Sequence, residues 1–229
     1  MTDFSRYAVY YARPPGPLAE FAAAWLGWDP VAGAEVPHPD LPGLPRPVAE
    51  ITATPRKYGF HGTIKPPFRL NASASPEALA SDLDALCSGI APVHCDGLEL
   101  HRLGGFLALV PTGDTTALAH LAAEAVRALD HHRAPAPEAE LNRRRARGLS
   151  PSQEVNLMTW GYPHVMEDFR FHLTLSGRLP AEEADAVAQV LTPILAPMTE
   201  GPFVVPDLCL FGEDAEGRFH LVSRHALTG

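Results

Sequence analysis

The chain has 229 residues, 46% apolar and 20% charged, which excludes disorder throughout and is enough for a sizeable core in one large domain or two small lobes. Its formal charge of −9 excludes nonspecific nucleic-acid binding over the whole surface, though not a local basic pocket for a small phosphate. Cys87, Cys95 and Cys209 form no C-x-x-C pair, which excludes a disulfide framework and a cysteine zinc site and leaves buried small apolar residues.

The opening MTDFSRYAVYYARPP has no basic-then-apolar secretory pattern, and no apolar run reaches membrane-spanning length, so the expected location is cytoplasmic with no membrane partner. Within it, RYAVYYA at 6–12 predicts a strand, ended by Pro14, Pro15, Gly16 and Pro17. LAEFAAAWLGW at 18–28 predicts a helix with Leu18, Phe21, Ala22, Trp25 and Leu26 on one face. Residues 29–50 are rich in proline and glycine without a period and read as a long loop, either a lid or a packed connection. KYGFHGTIKPPFRL at 57–70 is extended, and Pro66 and Pro67 put that strand at a sheet edge or end it there. SPEALASDLDALCSGI at 75–90 predicts a helix capped by Ser75, with Pro76 at its first position and Leu79, Leu83 and Leu86 on its apolar face. Residues 93–111 predict two strands joined near Gly104–Gly105, and 114–132 an Ala/Leu helix.

The section 133–150 is polar and carries a basic cluster at Arg143, Arg144, Arg145 and Arg147; SPSQEVNLMTWGYP at 150–163 predicts a short helix. FRFHLTLSG at 169–177 is the cleanest alternation in the chain, with Phe169, Phe171, Leu173 and Leu175 on one side and Arg170, His172, Thr174 and Ser176 on the other. A helix at 180–198 and a closing hairpin of 203–214 with 218–227 complete the pattern.

Two stretches echo each other. FHGTIKP and FHLTLSG are each followed by a helix and two strands. The order predicts an α+β fold: two pseudo-symmetric lobes of antiparallel sheet with outer helices around a central cleft, treated as a single bilobed domain over 1–229. Spacing of two places His61 and Thr63 on one strand face, and His172 and Thr174 on another. Two imidazoles converging on one cleft suit in-line displacement at phosphorus, since one can deprotonate water while the other protonates the leaving oxygen near neutral pH. The hydroxyls can donate to phosphoryl oxygens without adding charge.

With this pair of H-x-T motifs, the chain resembles the two-histidine (2H) phosphoesterase superfamily. The wider stretches YGFHGTIKPPFRL, RYAVYYA and WGYPHVMEDFRFHLTLSGRL are similar to the branch encoded in bacterial phosphonate-utilisation operons, and the likeness runs from about residue 5 to 225. The resemblance implies metal-independent hydrolysis of a cyclic phosphodiester on a small sugar phosphate or nucleotide, with ribose 5-phosphate 1,2-cyclic phosphate of phosphonate catabolism as the candidate substrate. It implies His61 and His172 as base and acid in an order left open, Thr63 and Thr174 as holders of the phosphoryl oxygens, and no cofactor. No long nucleic acid is expected as a partner, and the oligomeric state is open.

Lys65 falls on the Thr63 face if the strand continues, and Arg170 on the His172 face; each is a candidate to neutralise phosphate or a solvated strand-end residue. Tyr11 and Tyr58 are candidates to bond or stack on a sugar, against a reading as core tyrosines. The cluster at Arg143–Arg147 reads as a solvated helix face, or as a phosphate binder if it folds over the cleft. The remaining histidines, among them His131 and His132 at a helix end, read as structural. A metal hydrolase lacks support from any H-E-x-x-H or H-x-H-x-D spacing. A non-catalytic nucleotide or RNA-end binder, and 2′,3′-cyclic RNA end processing, are the alternative readings.

Overall fold

The structure, a computed structural model, describes residues 4–229. Strand β1 (Arg6–Tyr11) has both faces buried, because Tyr7, Val9 and Tyr11 enter the main core while Ala8, Tyr10 and Ala12 join a smaller apolar cluster with Phe211 and Phe219. Helix α1 (Pro17–Leu26) starts on a proline and stops at Gly27, whose φ of 80° closes it; Leu18, Ala22, Trp25 and Leu26 are its buried face. The segment expected as a long loop holds a two-residue-per-strand hairpin, β2 (Trp28–Asp29) with β3 (Ala34–Glu35), and the one-turn α2 (Val48–Ile51).

A 3-10 turn, Arg56–Tyr58, leads to β4 (Gly62–Phe68). Then come α3 (Pro76–Ser88), capped by the Ser75 hydroxyl, the short β5 (Val93–Cys95), β6 (Gly97–Leu103), β7 (Phe106–Thr112) and α4 (Thr116–Ala128). The polar section forms α5 (Glu138–Arg145), followed by α6 (Pro151–Trp160), which opens with a full capping box between Ser150 and Gln153. Strand β8 (Leu173–Thr174), α7 (Ala181–Leu195), β9 (Phe203–Val205), β10 (Asp207–Glu213) and β11 (Phe219–Ala226) complete the chain.

Seven strands form one antiparallel sheet in the order β11-β10-β1-β4-β8-β7-β6, and β5 pairs β9 beside it. Helices α1, α3, α4 and α7 all feed the main core, so the fold is α+β with an antiparallel sheet and outer helices. The repeated units exchange partners. β8 lies against β7, the hairpin strand of the first unit; β10 and β11 of the second unit lie on the far side of β1 from β4. Helices follow the same exchange, with α3 packed on β10 and β11 and α7 on β6 and β7. The two H-x-T strands therefore stand side by side at the centre of a continuous sheet.

Two expectations change. β4 is central and not an edge, despite Pro66 and Pro67. The prolines fit because β8 pairs β4 only through Gly62 and Leu173, and because β4 shifts register against β1 along this stretch, so neither missing N–H breaks a ladder. The run 169–177, the cleanest strand in the sequence, pairs as a strand over Leu173–Thr174 alone. Beyond it the N–H groups of Leu175 and Ser176 both donate to the Leu107 carbonyl and the Ser176 hydroxyl accepts from Leu107 N–H, which ends the regular ladder.

Gly62 is where the central strands close on each other. A Cβ there would stand 2.2 Å from the Phe171 ring, which lies across it. Gly62→Ala is expected to lower stability by about 1–3 kcal/mol through overpacking. Urea unfolding checks this, and an unchanged midpoint would remove the close-approach argument.

Candidate active site

His61 sits in the extended residue before β4, between Gly59 and the central strands. Its Nδ1 lies 3.0 Å from the Gly59 carbonyl oxygen, and His172 Nδ1 lies 2.8 Å from the Arg170 carbonyl. In each case the acceptor is the residue two positions earlier. A carbonyl can only accept, so both rings carry their proton on Nδ1 and leave Nε2 as the basic atom. Thr63 Oγ1 lies 3.3 Å from His61 Nε2, so the H-x-T spacing brings hydroxyl and imidazole into contact as expected.

Tyr10 lies against the His61 ring at 4.0 Å between centroids, with Tyr58 at 5.6 Å; Phe106 holds the same relation to His172 at 5.5 Å. Burial is the main reason that both imidazoles are harder to protonate than usual. It brings His61 down from 6.5 to about 4, with the charge of nearby His172 adding to the effect, and it lowers His172 as well. The hydrogen bonds to Gly59 and Arg170 oppose the lowering.

A cavity of about 540 Å³ opens over this face and is lined by His61, Thr63, Thr174, Tyr10, Tyr58, Phe106 and Tyr162 among others. Six cationic side chains also line it, Arg6, Lys57, Arg143, Arg144, Arg147 and Arg178, and none of its lining residues is a carboxylate. Such a lining gives a chain of net charge −9 a locally basic cavity. Arg6 and Lys57 are held by Glu213, and Arg144 by Glu140 at 2.8 Å and by the Tyr162 ring at 4.7 Å.

The structure brings His61, Thr63, Thr174 and Tyr58 to the cavity, and His172 stands beside it against Phe106. It does not bring Lys65. Val9 of β1 pairs Lys65 while Tyr10 pairs Thr63, so Ile64 is an extra residue on β4 and the bulge reverses the facing of Lys65. The Lys65 ammonium is buried and bonds the Val126 carbonyl and Asp130, each at 3.1 Å; burial brings it down to about 8. Arg170 is exposed and turned back on the chain, donating to the carbonyls of Glu167 and Phe169. Tyr11 is a core residue among Phe171 and Phe203.

Sequence reasoning missed Tyr10, Arg6, Lys57, Arg178 and Tyr162. Tyr10 had a signal, because in RYAVYYA it alternates with Tyr11 and only one of the two can share a face with Thr63. Among the described residues one group could hold a metal ion, Asp82 with His131 and His132. There the Asp82 Oδ2 accepts from both Nε2 atoms, at 3.0 and 2.8 Å, tying α3 to the turn after α4, and none of the three lines the cavity.

Residues 63–220 match the family described as "Protein of unknown function (DUF1045)". The chain belongs to the DUF1045 family. It is 37% identical over 187 residues to the Janthinobacterium sp. (strain Marseille) protein named ribose 1,5-bisphosphate phosphokinase PhnN, covering 81% of this chain and 41% of that protein. The protein of the same name from Laribacter hongkongensis (strain HLHK9) is 37% identical over 177 residues, covering 76% and 40%. This chain thus spans about two-fifths of the length of those curated relatives. Among solved structures, E. coli LigT complexed with NADP+ superposes with a TM-score of 0.45 at 14% identity over the whole of both chains. No helix among the described residues of this DUF1045 chain is long and apolar enough to cross a membrane.

Burial of neutral His61 has a consequence for stability. Its folded value of about 4 lies below the ordinary 6.5, so between these pH values the unfolded chain binds the proton more readily. Stability is therefore expected to fall as pH drops from 6.5 towards 4. His61→Phe keeps a ring against Tyr10 and removes the titration, so its urea midpoint is expected to fall less than that of the native chain between pH 7 and pH 4.5. Equal falls would mean that His61 is not buried as a neutral ring.

Proposed function

We propose that this chain hydrolyses a cyclic phosphodiester on a small sugar phosphate or nucleotide, with His61 and His172 carrying the proton transfers. The observation that carries the reading is the matched anchoring of the two rings. Each Nδ1 is occupied by the carbonyl two residues back, each Nε2 is left basic, and each ring has its H-x-T threonine beside a cation-lined cavity. Water attacks phosphorus while one Nε2 takes its proton. The ring P–O bond breaks and the other imidazolium protonates the departing oxygen, which leaves a phosphomonoester and a free hydroxyl. His61, the more strongly depressed of the two, is assigned as base and His172 as acid. Thr63 and Thr174 donate to the non-bridging oxygens. No step in this scheme runs through a metal.

The names of the curated relatives support a phosphorylated ribose as the substrate class; within it, ribose 5-phosphate 1,2-cyclic phosphate of phosphonate catabolism is the proposed substrate and the cytoplasm the proposed location. The kinase activity in those names belongs to proteins of which this chain matches only 40–41% and is not assigned to it.

His61→Ala and His172→Ala are each expected to lower turnover of a cyclic phosphate at least about 100-fold in the presence of chelator. Thr63→Val or Thr174→Val is expected to cost about 100- to 1000-fold. Turnover that survives both histidine substitutions would sink the two-imidazole mechanism, and turnover abolished by chelator would point to a metal instead. The assignment of roles is read from pH. Both rings titrate below 6.5, so kcat/KM should peak on the acid side of that value. The acid limb should vanish in His61→Ala and the alkaline limb in His172→Ala. The opposite pattern would exchange the roles.

A further inference from the structure

Six cations around one cavity are more than a single cyclic phosphodiester, with one negative charge, requires. They divide into two groups. Arg6, Lys57 and Arg144 already face carboxylates, whereas Arg143, Arg147 and Arg178 have no carboxylate partner among the described residues. The chain has 27 acidic residues, so partners are not scarce; none lines this cavity.

The first two unpaired guanidiniums come from one device. Arg143 lies in the last turn of α5 and Arg147 in the turn that follows the helix, where its N–H donates to the Arg144 carbonyl, and both line the cavity. The other arginines of that helix fasten it down: Arg144 pairs with Glu140, which also takes Arg69, and Arg145 pairs with Glu154 at the start of α6. Arg178 lines the same cavity from a different part of the chain, two residues past Ser176 in the run that leaves β8. All three are exposed at the mouth, whereas His61, Thr63 and Thr174 are half-buried on the floor.

We infer that Arg143, Arg147 and Arg178 form a subsite for a second, non-reacting phosphate, a terminal phosphomonoester carried by the same small molecule whose cyclic phosphate is opened at the histidines. The inference rests on the proposed function for the reacting end alone. A phosphomonoester brings about −1.5 to −2 charge near neutral pH and three acceptor oxygens, which suit several guanidiniums. Together with the cyclic diester this comes close to balancing the three unpaired arginines. The cavity is large enough for a sugar bearing both groups. The subsite would thus select a phosphorylated sugar over a 2′,3′-cyclic nucleoside monophosphate, whose one phosphate is already in the ring.

The test compares ribose 1,2-cyclic phosphate with and without a 5-phosphate. The native chain is expected to favour the 5-phosphorylated compound about 100-fold or more in kcat/KM, and Arg143→Gln/Arg147→Gln and Arg178→Gln are each expected to cut that ratio at least tenfold. A native ratio near one, or equal losses on both compounds, would overturn the subsite. A second measurement separates it from the hydrolytic reading, namely calorimetric binding of ribose 5-phosphate, which carries only the monoester. Binding is expected in the native chain and in His61→Ala, and at least tenfold weakened in the arginine variants. If no cyclic phosphate turns over but this pattern holds, the subsite stands and the hydrolase reading falls. If ribose 5-phosphate binds the arginine variants as tightly as the native chain, the subsite falls whatever turns over.

Discussion

The site depends on the single pairing of Gly62 with Leu173. It is the one contact in register between β4 and β8, and it sets the residues flanking it, His61 and Thr63 on one strand and His172 and Thr174 on the other, beside each other at the centre of the sheet. Glycine is required because Phe171 lies across that point, where a Cβ would meet its ring. The pairing is short by construction. β8 leaves the regular ladder after Thr174, and the chain stays tied to Leu107 of β7 through Leu175 and Ser176 and to the Gly105 carbonyl through Leu179, which carries Arg178 to the cavity lining.

Around this point two opposed electrostatic demands are met by separation. In the proposed hydrolysis the imidazoles exchange protons, and burial favours their neutral form while carbonyl oxygens, which add no net charge, orient them. The proposed substrate is an anion, and the cations that would attract it stand around the cavity with glutamates behind several of them. Glu213 holds Arg6 and Lys57 from outside the lining, and Glu140 does the same for Arg144. An acidic chain thus presents a basic cavity, because its carboxylates are used behind the wall and not in it.

Most elements were legible in the sequence where a period of 2 or 3.6 met punctuation. Examples are the Ser75–Pro76 and Ser150–Pro151 helix starts and the hairpin across Gly104–Gly105. The histidine and threonine pair was legible because i and i+2 on a strand share a face whatever surrounds them. Extending that rule one step further failed at Lys65, since the extra residue at Ile64 reverses the alternation, and an insertion of that kind shows only in the pairing with β1. Arg170 failed differently: that end of the run lies outside the ladder, so strand alternation does not govern it, and its guanidinium closes on local carbonyls. The proline argument failed because a central strand tolerates Pro66 and Pro67 once its neighbour pairs at one residue alone.

By itself, the sequence determined which side chains carry titratable rings and hydroxyls and that each His-x-Thr pair can share a strand face, because those follow from residue type and the local pleat. It also determined the antiparallel α+β pattern, through the two echoed units. Only the tertiary structure decided that the units exchange hairpins, that Tyr10 and not Tyr11 meets the imidazole, and that Arg143, Arg144 and Arg147 line the same cavity as Arg178. Those outcomes turn on strand order, on a one-residue bulge and on how a polar helix is pinned by its glutamates. All three are relations between segments far apart in the chain, which no local period records.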